Sequence, residues 1–104
     1  MTTIIVLFNL KDTAQVSEYE SWAKTTDIPT ASGLPSVDKF AVLKAEGLLM
    51  SEDNSPYQYI EILEINDMEQ FGKDASSAVM QKVAGEFQSF ADNPLFIMTS
   101  KIEA

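Results

Sequence analysis

Thr3–Leu10 (TIIVLFNL) is apolar at its odd and its even positions alike, and that run limits the folds open to the chain. Side chains of a strand alternate between two faces, and a half-solvated sheet buries only one of them. Ile4, Val6 and Phe8 are no more apolar than Ile5 and Leu7, so both faces of this strand call for cover. Its β-branched content and the stop at Lys11-Asp12 mark it as a strand.

Downstream the period changes. Val16, Tyr19, Trp22 or Ala23, and Thr26 recur at helical spacing, which predicts a helix from Ala14 to Thr26 with Ser17 and Glu20 as its capping box. Breakers in Asp27-Ile28-Pro29-Thr30 and Gly33-Leu34-Pro35-Ser36 predict a loop of about ten residues. Extended character returns over Val37–Leu49, with Gly47 marking a bulge, and Ser51–Pro56 is a polar turn. Tyr57–Ile65 (YQYIEILEI) is a third strand, hairpinned onto the second. Asn66 and Glu69 form another capping-box pattern, with Gly72 kinking or ending that first turn. From Asp74 to Ala91, Val79, Val83, Phe87 and Phe90 form the stripe of a longer helix. Asp92-Asn93-Pro94 stops it, and Leu95–Ile102 is the last strand.

The order β-α-β-β-α-β is the split βαβ, or ferredoxin-like, arrangement: one α+β domain over residues 1–104, a four-stranded antiparallel sheet with both helices on one face. Its other face would expose more apolar surface than a soluble monomer tolerates, which predicts a homodimer packed sheet to sheet. The competing account is that strand-one apolarity reflects only a central position in the sheet.

Composition narrows the chemistry. The chain has no histidine, cysteine or arginine, so it lacks the usual neutral-pH base, the thiolate nucleophile, the common transition-metal ligands and the bidentate phosphate clamp. A net charge of −9 opposes nucleic acid and anionic membrane partners, and no apolar stretch nears the roughly 20 residues of a span. No basic segment or small-residue cleavage site precedes Ile4–Phe8, so the cytoplasm is the expected compartment. Asp53-Asn54-Ser55 lacks the glycine and ligand spacing of a calcium loop, and the glycines stand singly, so neither a metal nor a nucleotide cofactor is expected.

Candidates remain among carboxylates and aromatics. Alternation places Tyr57, Tyr59, Glu61, Leu63 and Ile65 on one face of the third strand. Glu61 in such surroundings is either a general acid or base with a raised pKa, or a cross-strand partner of Lys39 or Lys44. Asp27 either caps the turn that follows it or points into the space under the long loop. Asn9 is likewise a pocket donor or a turn residue. Tyr19 and Trp22 fill the core or form the wall of an aromatic site.

Three stretches, Tyr19–Ser36 (YESWAKTTDIPTASGLPS), Tyr57–Gly72 (YQYIEILEINDMEQFG) and Val79–Phe96 (VMQKVAGEFQSFADNPLF), together resemble the RedY-like proteins of prodiginine and related pigment pathways. The resemblance spans nearly the whole chain. It implies a dimeric α+β barrel and a part in making or tailoring a pyrrole- or indole-derived secondary metabolite. In such barrels the small-molecule cleft lies between sheet and helices, which makes Asn9, Trp22, Asp27, Phe40, Tyr59 and Glu61 its candidate linings. The wider superfamily includes cofactor-free monooxygenases, polyketide cyclases and isomerases, so fold alone selects no reaction. The expected function is a cofactor-free cyclisation, condensation or proton transfer on an aromatic intermediate. Glu61 acts as acid or base, Asp27 assists, and Tyr59 with Trp22 holds the ring. A carrier or accessory module for a pathway enzyme is the alternative, and cofactor-free oxygenation is the third reading.

Overall fold

β1 (Thr2–Leu10) is an inner strand of a four-stranded antiparallel sheet in the computed structural model, which describes residues 1–103. With β2 (Val37–Lys44), β3 (Tyr59–Ile65) and β4 (Ala91–Thr99) the order across the sheet is β2-β3-β1-β4. Register sets the faces: Val6 lies opposite Glu61, Phe8 opposite Tyr59, and Ile4 opposite Leu63. Ile4, Val6 and Phe8 are buried under the helices, whereas Ile5 and Leu7 between them are only half-buried. The burial alternates although the apolarity does not, because the second face has no cover within one chain. Leu43, Leu95 and Ile97 on that face are 45%, 46% and 42% exposed.

The helical layer departs from the expected boundaries. α1 (Val16–Trp22) passes into a π-helical turn (Ala23–Asp27) and then α2 (Ile28–Ser32), so most of the loop expected over Asp27–Ser36 is helical. Pro29 is admitted because it sits in the first turn of α2, where a missing N–H is least costly. The turn ahead of it is also wider, with the Ile28 N–H bonded to the Ala23 carbonyl five residues back. Only Gly33–Ser36 remains as a connector.

Neither expected capping box forms. Gln15 stands at the start of α1 without a side-chain cap, and Asp67 rather than Asn66 caps α3 (Met68–Ala75), accepting from the Glu69 and Gln70 N–H groups at 3.0 and 3.2 Å. Asn66 instead donates to the Pro35 carbonyl and to Asp38 at 3.0 and 2.8 Å, tying the end of β3 to the start of β2. α3 runs through Gly72 without ending there. The single long helix expected from Asp74 is broken at Ser76-Ser77, and α4 (Ala78–Phe90) begins anew with the Ser77 hydroxyl accepting from the Met80 N–H. Asp74 closes the gap to the opposite connector, its carboxylate accepting from the Ser36 N–H at 3.0 Å and the Gln70 amide at 2.8 Å.

β2 stops at Lys44 rather than Leu49, and β3 starts at Tyr59 rather than Tyr57. Asn9 explains the second boundary. Its side chain accepts from the Gln58 N–H at 2.9 Å and donates to the Pro56 carbonyl at 3.0 Å, so these groups belong to the loop rather than a ladder. The irregularity of β2 falls between Val37 and Lys39, and Gly47 lies in the loop. Asp92-Asn93-Pro94 does not separate α4 from the last strand; it is part of β4. Asn93, at φ 46°, takes the left-handed conformation asparagine tolerates, where the β1–β4 register slips between Leu7 and Asn9.

Aromatic rings fill one end of the space between sheet and helices. Phe8 stacks on Tyr59 with centroids 5.6 Å apart and meets Phe87 edge-on at 4.9 Å, while Tyr19 packs on Tyr59 at 4.8 Å and Phe90 at 5.6 Å. Toward Ile4 and Leu63 no comparable cluster closes the gap. No helix among the described residues is long and apolar enough to cross a membrane.

Candidate functional site

At that end lies a cavity of about 430 Å³. The sheet contributes Ile4, Val6, Phe40 and Leu63 to its floor, and Phe71 of α3 with Val83 and Phe87 of α4 form the roof. Ala84, Gln88, Phe96 and Met98, all exposed, line the side facing solvent, so α4 and β4 frame the mouth. Its volume falls in the range of small-molecule sites.

Two carboxylates occupy the closed end. Glu61 and Asp27 are each 6% exposed. The ladder sets Glu61 between Val6 and Val42, two apolar neighbours. The alternative of pairing with lysine is excluded by register. Lys39 lies opposite Glu64 on the other face, and Lys44 lies opposite Tyr59 with its ammonium 3.1 Å from Glu20. Asp27 makes no capping hydrogen bond with its side chain, so the capping role does not apply either. The π-helical turn holds it inward, and wide turns of this kind recur at functional sites.

Burial dominates the electrostatics. It lifts the Glu61 carboxyl from an ordinary 4.5 to about 8, with the Asp27 charge adding to the shift, and it lifts Asp27 from 3.8 to about 6. Near neutral pH Glu61 is therefore held mainly as the neutral acid and Asp27 mainly as the carboxylate. Among the described residues Glu61 Oε2 has no hydrogen-bond partner, and neither has the buried Tyr19 hydroxyl. Burial raises the tyrosine pKa, and the charges of Glu61 and Asp27 raise it further. Unmatched buried polar atoms cost roughly 1–3 kcal/mol each, and of the four side chains that carry one among the described residues, Glu61 is the one that lines the cavity.

Comparison with known proteins settles the lineage. A family model described as REDY-like protein HapK matches residues 2–102. The chain belongs to the HapK family. The crystal structure of HapK from Hahella chejuensis is 30% identical, with a TM-score of 0.78 over 100% of this chain and 95% of that one. SnoaB, a cofactor-independent oxygenase from Streptomyces nogalater, is 14% identical with a TM-score of 0.75, covering 99% of this chain and 94% of its own. A dimeric ferredoxin-like protein of unknown function from Thermobifida fusca is 13% identical with a TM-score of 0.73, over 96% and 90%. These last two are similar in fold, which is ferredoxin-like α+β. A comparison with curated protein sequences returns no match.

In this HapK-family chain the cavity brings together three of the six residues singled out from sequence: Asp27, Phe40 and Glu61. The other three lie elsewhere. Asn9 clamps the 45–58 loop. Tyr59 lines a separate recess of about 130 Å³, and its hydroxyl donates to Glu20 at 2.7 Å. Trp22 packs against Tyr19 and Phe90 at 6.0 and 5.4 Å in the aromatic cluster. Sequence reasoning missed the mouth of the cavity. The available signal was the alanines at 31, 75 and 84, small side chains in the helical layer that leave space above the sheet.

Proposed function

We propose that the protein binds an aromatic pyrrole- or indole-type intermediate of a secondary-metabolite pathway in this cavity and promotes a cofactor-free cyclisation, condensation or proton transfer. The observation that carries this reading is the Asp27–Glu61 pair, buried without a lysine partner in an otherwise apolar, aromatic-walled space open on one side. A carboxylic acid with a pKa of about 8 is largely neutral at pH 7 and can donate a proton, and the Asp27 carboxylate beside it can accept one. This chemistry needs no imidazole, and the chain has none. The phenylalanines hold the ring system flat while water is excluded from the closed end. The apolar outer sheet face fits a homodimer packed sheet to sheet, and the cytoplasm is the compartment we assign.

Filling the cavity separates this function from one elsewhere on the surface. Ala84 is exposed at the mouth, so Ala84→Trp occupies ligand space without overpacking the core. Metabolites of cells carrying Ala84→Trp should show the intermediate accumulating to at least about tenfold, as expected from loss of near-attack positioning. Unchanged metabolites with the variant folded would place the function outside this cavity. If Ala84→Trp abolishes function while Glu61→Gln is silent, the protein is a carrier and not a catalyst.

A further inference from the structure

The lining also selects ligands by charge, on the reading that this cavity is the ligand site. Its polar groups are the Asp27 and Glu61 carboxylates and the Gln88 amide. Among the described residues no lysine lines it, and the walls from β1, β2, β4, α3 and α4 bring no titratable group. The Tyr19 hydroxyl of α1, which feels the charge of both carboxylates, neutralises neither. Glu61 Oε2 is a buried acceptor without a donor. Four phenylalanines, Phe40, Phe71, Phe87 and Phe96, surround the same space. Aromatic faces carry negative potential and attract cations, most strongly where water is displaced.

We infer that the cavity takes an organic cation, an aromatic or aliphatic-ring ligand with a protonated or quaternary nitrogen, and sets that charge between the phenylalanine faces and the Asp27–Glu61 carboxylates. The ligand brings the counter-charge that the protein omits. A carboxylate or phosphate ligand meets no cationic side chain among the described lining residues and is repelled by each carboxylate that ionises. Proton linkage follows from the same geometry: Asp27 ionises through about pH 6 and Glu61 through about pH 8, so affinity for a fixed-charge cation climbs in two steps.

The test uses three probes of one shape: N-methylquinolinium, neutral 1-methylnaphthalene and anionic 1-naphthoate, titrated calorimetrically into the whole protein. At pH 8 the cation should bind at least about tenfold tighter than the neutral hydrocarbon, and naphthoate more weakly than either. On the unaltered protein that preference should shrink toward pH 5, because both carboxyls are then protonated. Asp27→Asn combined with Glu61→Gln should cut it at least about fivefold, leaving the part due to the phenylalanine faces, while the neutral probe still binds. Naphthoate binding as well as the cation would overturn the inference, as would a preference undiminished in the double variant or showing no change with pH. If all three probes bind alike, only the charge selection fails; if none binds the unaltered protein, the ligand-site reading falls with it.

Discussion

Glu61→Gln should lower product formation by about 10²–10⁴-fold and yet make the protein more stable above pH 7. The two effects have one origin. In the unfolded chain the carboxyl ionises near 4.5, and in the folded protein near 8. As pH rises through that interval the unfolded chain releases a proton that the native state retains. Stability therefore falls from pH 4.5 upward and stays low above pH 8. The full shift corresponds to roughly 5 kcal/mol, an upper figure because Asp27 titrates with it. Glutamine keeps the shape and loses the charge. Urea denaturation should thus find the variant equal to the parent near pH 4 and more stable by a few kcal/mol at pH 9. A variant that is fully active would remove Glu61 from the reaction; one that is no more stable at pH 9 would mean the carboxylate is better solvated than its burial implies.

On the proposal that the outer sheet faces of two chains pack together, Ile62→Lys should leave a monomer. Ile62 lies opposite Ile5 on β1 and Ala41 on β2, on the face that the helices do not cover. Leu43, Leu95 and Ile97 on the same face are more than two-fifths exposed, an apolar patch that the proposed pairing would cover. Burying a lone ammonium costs several kcal/mol, so the dissociation constant should rise more than about 100-fold. Sedimentation should give twice the single-chain mass for the parent at micromolar concentration and one chain for the variant. A monomeric parent would leave the outer face to some other partner.

The architecture was legible because the helices carry a helical period and the strands are short β-branched or aromatic runs bounded by turn residues. Strand alternation put Glu61 on one face with Tyr59 and Leu63, and the structure keeps all three on the inner face; the register was not legible, since Val42 rather than Lys39 or Lys44 stands opposite Glu61. Boundaries were less legible where side chains override local rules. Pro29 reads as a breaker, yet a widened turn absorbs it; Asn93-Pro94 reads as a stop, yet a bulge carries it inside β4. The site divided along the same line. Glu61 follows from strand parity, which is local, whereas Phe40 entered through the family resemblance. Asp27 owes its burial to a π-helical turn that no spacing rule announces. Asn9 and Tyr59 were drawn elsewhere by partners almost 50 and 39 positions away, Gln58 and Glu20, which a linear reading does not bring together.

The carboxyl titrations of Glu61 and Asp27, followed by carbon-13 NMR from pH 3 to pH 10, bear most directly on whether a buried acid pair lies at the heart of the molecule. Burial without a counter-charge requires two apparent pKa values, near 8 and near 6. Both groups titrating near 4 would show them to be solvated or paired, and the proposed acid–base chemistry would lose its basis.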